Sequence, residues 1–189
     1  LKMRIYSHHH LLDLSVRDQE WIVGDEMQTI RRSFAISDLK DAIKSSRIDR
    51  TVLVQTVTDY SETPELLAIA QSEHLVGAVV GWLQIDAPDA IARLHQYLDL
   101  PGAEYLKGIR DIAQDHPDPN YLAKPQTIAN VKKLGELGIT FDLLTKTPEL
   151  AAAIKLVSAC PDVQFVMDHI SKPYIAKKEI EPWKTLMTE

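Results

Sequence analysis

Arg4-Ile-Tyr-Ser-His-His-His10 is the stretch on which the fold turns. A short strand, Arg4 to Ser7, runs directly into three histidines. An open doubly wound sheet usually carries a glycine-rich phosphate turn at the end of its first strand. Imidazoles in that place suit the other parallel architecture, a closed barrel whose strand C-termini surround one working mouth.

Downstream of the histidines the chain alternates strand-like and helix-like periods. Ser37-Asp-Leu-Lys-Asp-Ala-Ile-Lys44 reads as a helix capped by Ser37, and Thr51-Val-Leu-Val-Gln-Thr56 as a strand buried on both faces. Thr63-Pro64 opens a second helix, Leu75 to Gln84 is a third strand, and Asp86 to Leu98 a third helix. Tyr105 to Arg110 is a fourth strand, followed by a polar loop from Gln114 to Asn120. Gln126 to Leu137 is helical with Gly138 as its stop, and Ile139 to Leu144 is a fifth strand. Thr147-Pro148 opens a helix reaching about Ala159, Val163 to Asp168 is a sixth strand ending at His169, and another helix starts near Glu181. About six βα units are present where an eight-unit barrel takes ~250 residues. The expected fold is therefore α/β of the (β/α)8 TIM-barrel type, cut short after about six units, with residues 1–189 forming one domain. Leu1 and Lys2 precede Met3, a candidate start, and carry no structural weight.

Composition narrows the function. Of 189 residues, 21 are Lys or Arg and 27 Asp or Glu, a formal net charge of −6 with no basic block, which argues against nucleic acid and anionic membrane as partners. No apolar run approaches the roughly 20 residues of a spanning helix, no signal peptide is visible, and the lone Cys160 excludes an intrachain disulfide framework. The expected setting is the cytoplasm and the expected partner a small molecule.

His8 and His10 stand two apart, so their side chains leave one face of the strand, while His9 faces the other way and is expected to pack. His169 ends the sixth strand and in a barrel shares the mouth with them. Three imidazoles there can bind a divalent ion, zinc or manganese, or polarise a substrate oxygen directly. Arg110 and Lys172 are cations near the mouth, suited to an anionic substrate. Asp142, between Phe141 and Leu143 inside a strand, needs a cationic neighbour or a substrate group. Asp13, Asp111 and Asp115 read as loop acids, and His116-Pro-Asp-Pro119 as a turn-rich element that either folds over the mouth or stays on the surface.

The ordered set His8-His-His-Leu-Leu-Asp-Leu14, Arg50-Thr-Val-Leu-Val-Gln55, Lys107-Gly-Ile-Arg110 with Gln114-Asp115 and Asp118-Pro119, Phe141-Asp-Leu-Leu144 and Met167-Asp-His-Ile-Ser-Lys-Pro173 resembles the amidohydrolase-superfamily branch of sugar-lactone and dicarboxylate-lactone hydrolases. The resemblance covers nearly the whole chain. It implies lactone hydrolysis by an activated water, with His8 and His10 as the first-strand pair, His169 as the sixth-strand histidine, and Arg110 and Lys172 in motifs near the substrate. It implies either one divalent metal or a metal-independent mechanism. The family's eighth-strand aspartate, a general base or metal ligand, is expected beyond Glu189. Tyr6, Leu12 and Asp111 depart from residues common in the branch. Two other readings compete: decarboxylation or hydration of an aromatic or muconate-like acid on the same barrel, and a non-catalytic chain that associates through its open edge strands. A homo-oligomer is expected.

Overall fold

The computed structural model describes residues 2–189; Leu1 lies outside the described residues. Six strands, β1 (Ile5–His9), β2 (Arg50–Val54), β3 (Val76–Trp82), β4 (Leu106–Ile112), β5 (Thr140–Leu144) and β6 (Phe165–Met167), form one sheet in the order β1-β2-β3-β4-β5-β6. Every neighbouring pair is parallel. A sheet wound in one direction excludes the doubly wound alternative, which needs a reversal of strand order. It is the arrangement of an open six-strand part of a barrel.

Helices α1 (Ile36–Ile43), α2 (Glu62–Ser72), α3 (Ala90–Leu98), α4 (Pro125–Glu136), α5 (Leu150–Ala159) and α6 (Trp183–Leu186) connect or follow the strands. The core lies between strands and helices. Leu53, Val79, Ile109 and Phe141 from successive strands join Leu67, Leu94, Leu134 and Leu156 from α2 to α5, all fully buried. The near-continuous apolar content of β2, β3 and β5 follows from helices covering one face while the barrel interior lies on the other.

Several boundaries differ from those read in the sequence, each for a local reason. β1 continues through His9, which is buried and hydrogen-bonded through Nε2 to Thr51 Oγ1 at 2.9 Å. Ser37 sits in the first turn of α1, not at its cap; the Asp38 carboxylate accepts from the Ala35 N–H at 2.8 Å. Thr63 is likewise inside α2, where its hydroxyl accepts from the Trp82 N–H at 2.9 Å and ties helix to sheet. β4 runs past Arg110 to Ile112, which makes Asp111 a buried strand residue and not a loop acid. Asp111 accepts from Trp82 Nε1 and the Ile85 N–H, both at 2.8 Å, and from the Tyr121 hydroxyl at 2.5 Å. Gly138 does end α4, in a left-handed conformation at φ +71°.

Candidate active site

The histidines lie at opposite edges of the sheet, yet they meet. The His8 and His169 ring centroids are 4.8 Å apart and those of His8 and His10 4.9 Å. Curvature of the sheet thus brings the C-terminal ends of β1 and β6 around one point. His8 and His10 approach through Nε2 at 3.3 Å, while His10 Nδ1 lies 2.8 Å from the Val54 carbonyl. A carbonyl only accepts, so Nδ1 of His10 carries the proton. Burial, with the Arg110 charge adding to it, holds His10 down at about 4 and outweighs the Val54 hydrogen bond, so the ring is neutral and Nε2 presents a bare lone pair.

On its other side, His8 Nδ1 faces Asp168 Oδ1 at 3.6 Å. The carboxylate draws a proton to His8 Nδ1, and in that Nδ1–H form the His8 Nε2 is bare as well. In that form two lone pairs face each other at 3.3 Å, where a positive centre would sit; in the Nε2–H form His8 donates to His10 across the same gap. Two nitrogens on one tetrahedral zinc at 2.0–2.1 Å are separated by roughly 3.3–3.4 Å, so the donor set fits such an ion. A second grouping overlaps the first: one ligand atom from each of His8, Asp168 and His169 lies within 4.8 Å of the other two.

Asp168 is buried and doubly engaged. Arg110 NH1 donates to its Oδ2 at 2.8 Å, and Arg110 NH2 donates to the Gln55 carbonyl at 2.6 Å. Burial alone would raise the Asp168 carboxyl, but the nearby His8 ring and the hydrogen bond and charge of Arg110 hold it at about 2. The contrast with Asp142 is sharp. Asp142 pairs with Arg110 in the strand register, yet its Oδ1 is buried with no partner, and burial reinforced by the Asp168 charge pushes it up to about 7.

Immediately after Asp168 the backbone turns left-handed for four successive residues, His169, Ile170, Ser171 and Lys172, at φ between 43° and 54°. L-residues resist that region by roughly 1–2 kcal/mol each. Ser171, buried and hydrogen-bonded to Thr145 Oγ1 at 2.7 Å, helps fasten the turn to the end of β5. The same turn swings Lys172 to Gln114, whose amide oxygen accepts from Nζ at 2.6 Å. Burial, then Lys146 and Arg110, lower the Lys172 ammonium.

The residues singled out in the sequence therefore divide. His8, His10 and His169 cluster, Lys172 stands beside His169 in the chain with a neutral partner, and Arg110 and Asp142 lie buried beneath. Asp115 is exposed and pairs with Lys146, and Asp13 is an exposed acceptor for Ser15. His116 stacks on Tyr121 at 4.2 Å, which pins the His116–Pro119 turn to the Asp111 network. Asp168 escaped the sequence reading; its one signal was an acid at a strand end directly before a histidine. A cavity of about 540 Å³ between the segment after β1 and α2 is lined by Leu11, Phe34 and Leu66 and includes none of the histidines.

Comparison with known proteins fits this geometry. The amidohydrolase family model matches residues 5–189. The chain belongs to the amidohydrolase family. It is 30% identical over 189 residues to an L-fucono-1,5-lactonase from Burkholderia ambifaria, and spans all of this chain but 64% of that protein's length. A crystal structure of an amidohydrolase from Burkholderia multivorans with bound zinc matches with TM-score 0.86 at 24% identity, covering 98% of this chain and 65% of that one. A probable 2-pyrone-4,6-dicarboxylic acid hydrolase from Acinetobacter baumannii, with citric acid bound, matches with TM-score 0.71 at 14% identity, over 98% and 65% of the two chains. This amidohydrolase chain thus carries the family's sheet with a candidate metal site at its strand ends. Among the described residues no helix is long and apolar enough to cross a membrane.

Proposed function

We propose that the protein hydrolyses a lactone, a sugar lactone before a dicarboxylate one, with His8, His10 and His169 as its working imidazoles and residues 1–189 as part of a single barrel domain. The observation that carries this is the pair of Nε2 atoms at 3.3 Å with the His169 ring beside them. The likeness to an L-fucono-1,5-lactonase supports the choice of substrate class.

His8 and His10 would hold a divalent ion through Nε2, with His169 completing the cluster; zinc is favoured by the imidazole donors and by the zinc-bound Burkholderia relative. Such an ion supplies Lewis acidity toward a carbonyl oxygen. The chain's own residues set the rest. His10 is kept neutral by burial and oriented by Val54, so its lone pair stays available. Lys172, whose hydrogen-bond partner is a neutral amide, offers positive charge to an anionic or hydroxyl group of the substrate and to the carboxylate of the product. In the reaction, water oxygen bonds to the carbonyl carbon, the ring C–O bond breaks, and the ring oxygen leaves as a hydroxyl, giving a hydroxy acid. The proton acceptor for the water that the resemblance implies lies on an eighth strand, outside the six described.

Acid release from L-fucono-1,5-lactone and other aldonolactones, followed in a pH-stat against carbon dioxide release from aromatic acids, tests the reading. Lactone opening that disappears in His8→Ala supports it. Carbon dioxide release without lactone opening replaces it with the decarboxylase reading.

A further inference from the structure

Arg110 is turned inward. Its side chain is 4% exposed, NH1 donates to Asp168 and NH2 to the Gln55 carbonyl, and Nε is buried with no partner. Through Asp168 it reaches a histidine. Asp168 Oδ2 is held by Arg110, which leaves Oδ1 aimed at His8 Nδ1. The chain of contacts runs from the end of β2 through β4 and the residue after β6 to β1, so it joins the two edge strands at the site.

We infer that Arg110 is a positioning residue that clamps Asp168, and that Asp168 in turn fixes the His8 ring with Nδ1 protonated and Nε2 turned toward His10. The inference rests on His8 being a working residue of the proposed site, but not on which substrate is turned over. It assigns Asp168 an orienting role behind His8 where the compact His8, Asp168 and His169 grouping would make it a direct ligand. Oδ2 is taken by the guanidinium and Oδ1 faces His8 Nδ1, and partners of this kind behind a ligating histidine fix its tautomer and ring orientation.

The test uses Arg110→Gln, Arg110→Lys and Asp168→Asn in the full chain. Nitrogen NMR of ¹⁵N-histidine-labelled protein, recorded without metal or lactone, reads the tautomer of His8. A zinc titration against a chromophoric chelator reads affinity, and steady-state kinetics on a lactone splits kcat from KM. We expect Nδ1–H in the wild type, a mixed tautomer in Arg110→Gln, zinc affinity weakened about 10–100-fold, and partial recovery in Arg110→Lys. Asp168→Asn, whose amide can donate, should move His8 toward the Nε2–H form and serves if Arg110→Gln fails to fold. Lactone kinetics should show a fall in kcat with KM little changed. Unaltered His8 nitrogen shifts in Arg110→Lys and Asp168→Asn, or a raised KM with unchanged tautomer and zinc affinity, would overturn the clamp. Because the His8 nitrogens are read without substrate, a protein that opens no lactone still decides the question.

Discussion

The middle of the sheet and its two edges do different work. Strands β2 to β5 are buried on both faces and contribute Leu53, Val79, Ile109 and Phe141 to the core. β1 and β6 are each paired on one side only in this sheet, and there Ile5 is 55% exposed and Val166 44%. Yet the histidines project from these edges. The apolar packing lies in the centre, and the histidines meet where the curved sheet brings its margins together, with the Arg110–Asp168 ion pair tying β4 to the end of β6.

The comparison can be broken at either place. Phe141→Ala in the centre should cost about 3–5 kcal/mol, the penalty of a large cavity in a packed core, read from the denaturant midpoint. His8→Ala at the edge should leave that midpoint nearly unchanged while turnover of a lactone falls about 10²–10³-fold, the loss expected when stabilisation of a developing oxyanion is removed. Equal destabilisation by the two would erase the division.

A pH scan probes the layer between them. Asp142 is pushed up to about 7 in the folded chain from an ordinary 3.8. Over that window the folded state keeps a proton that the unfolded state has lost, so stability falls as pH rises from about 4 to about 7 and levels off above. Asp168, held down at about 2, acts oppositely: its contribution is present above about 4 and is lost as pH falls toward 2. Asp142→Asn should flatten the fall between pH 4 and 7, a change on the order of 4 kcal/mol at neutral pH, measured as Tm against pH. A scan of Asp142→Asn that tracks the wild type would show that this carboxyl ionises freely. The smallest effect belongs to the outer helix surface, where Lys133→Ala, which removes an exposed pair with Glu136, should shift stability by no more than about 0.5 kcal/mol.

Much of this was legible in the sequence because the βα repeat is written in local periodicity. The parallel strands and the coming together of His8, His10 and His169 follow from strand ends sharing one mouth. What was not legible depends on distant partners. Asp111 looked like a loop acid because its donors, Trp82 and Tyr121, come from other elements. Arg110 looked like a substrate cation because nothing in Gly-Ile-Arg shows that Asp168 will close over it. The left-handed turn from His169 to Lys172 contains neither glycine nor asparagine, so no residue announces it; packing against β5 and the Thr145–Ser171 hydrogen bond hold it there.

Anomalous diffraction at the zinc edge, from crystals of the protein grown with zinc, is the most direct check on the convergence of the three imidazoles. A single strong peak bounded by the rings of His8, His10 and His169 is the predicted result. A peak at some other place, or none in a well-folded crystal, would contradict the account.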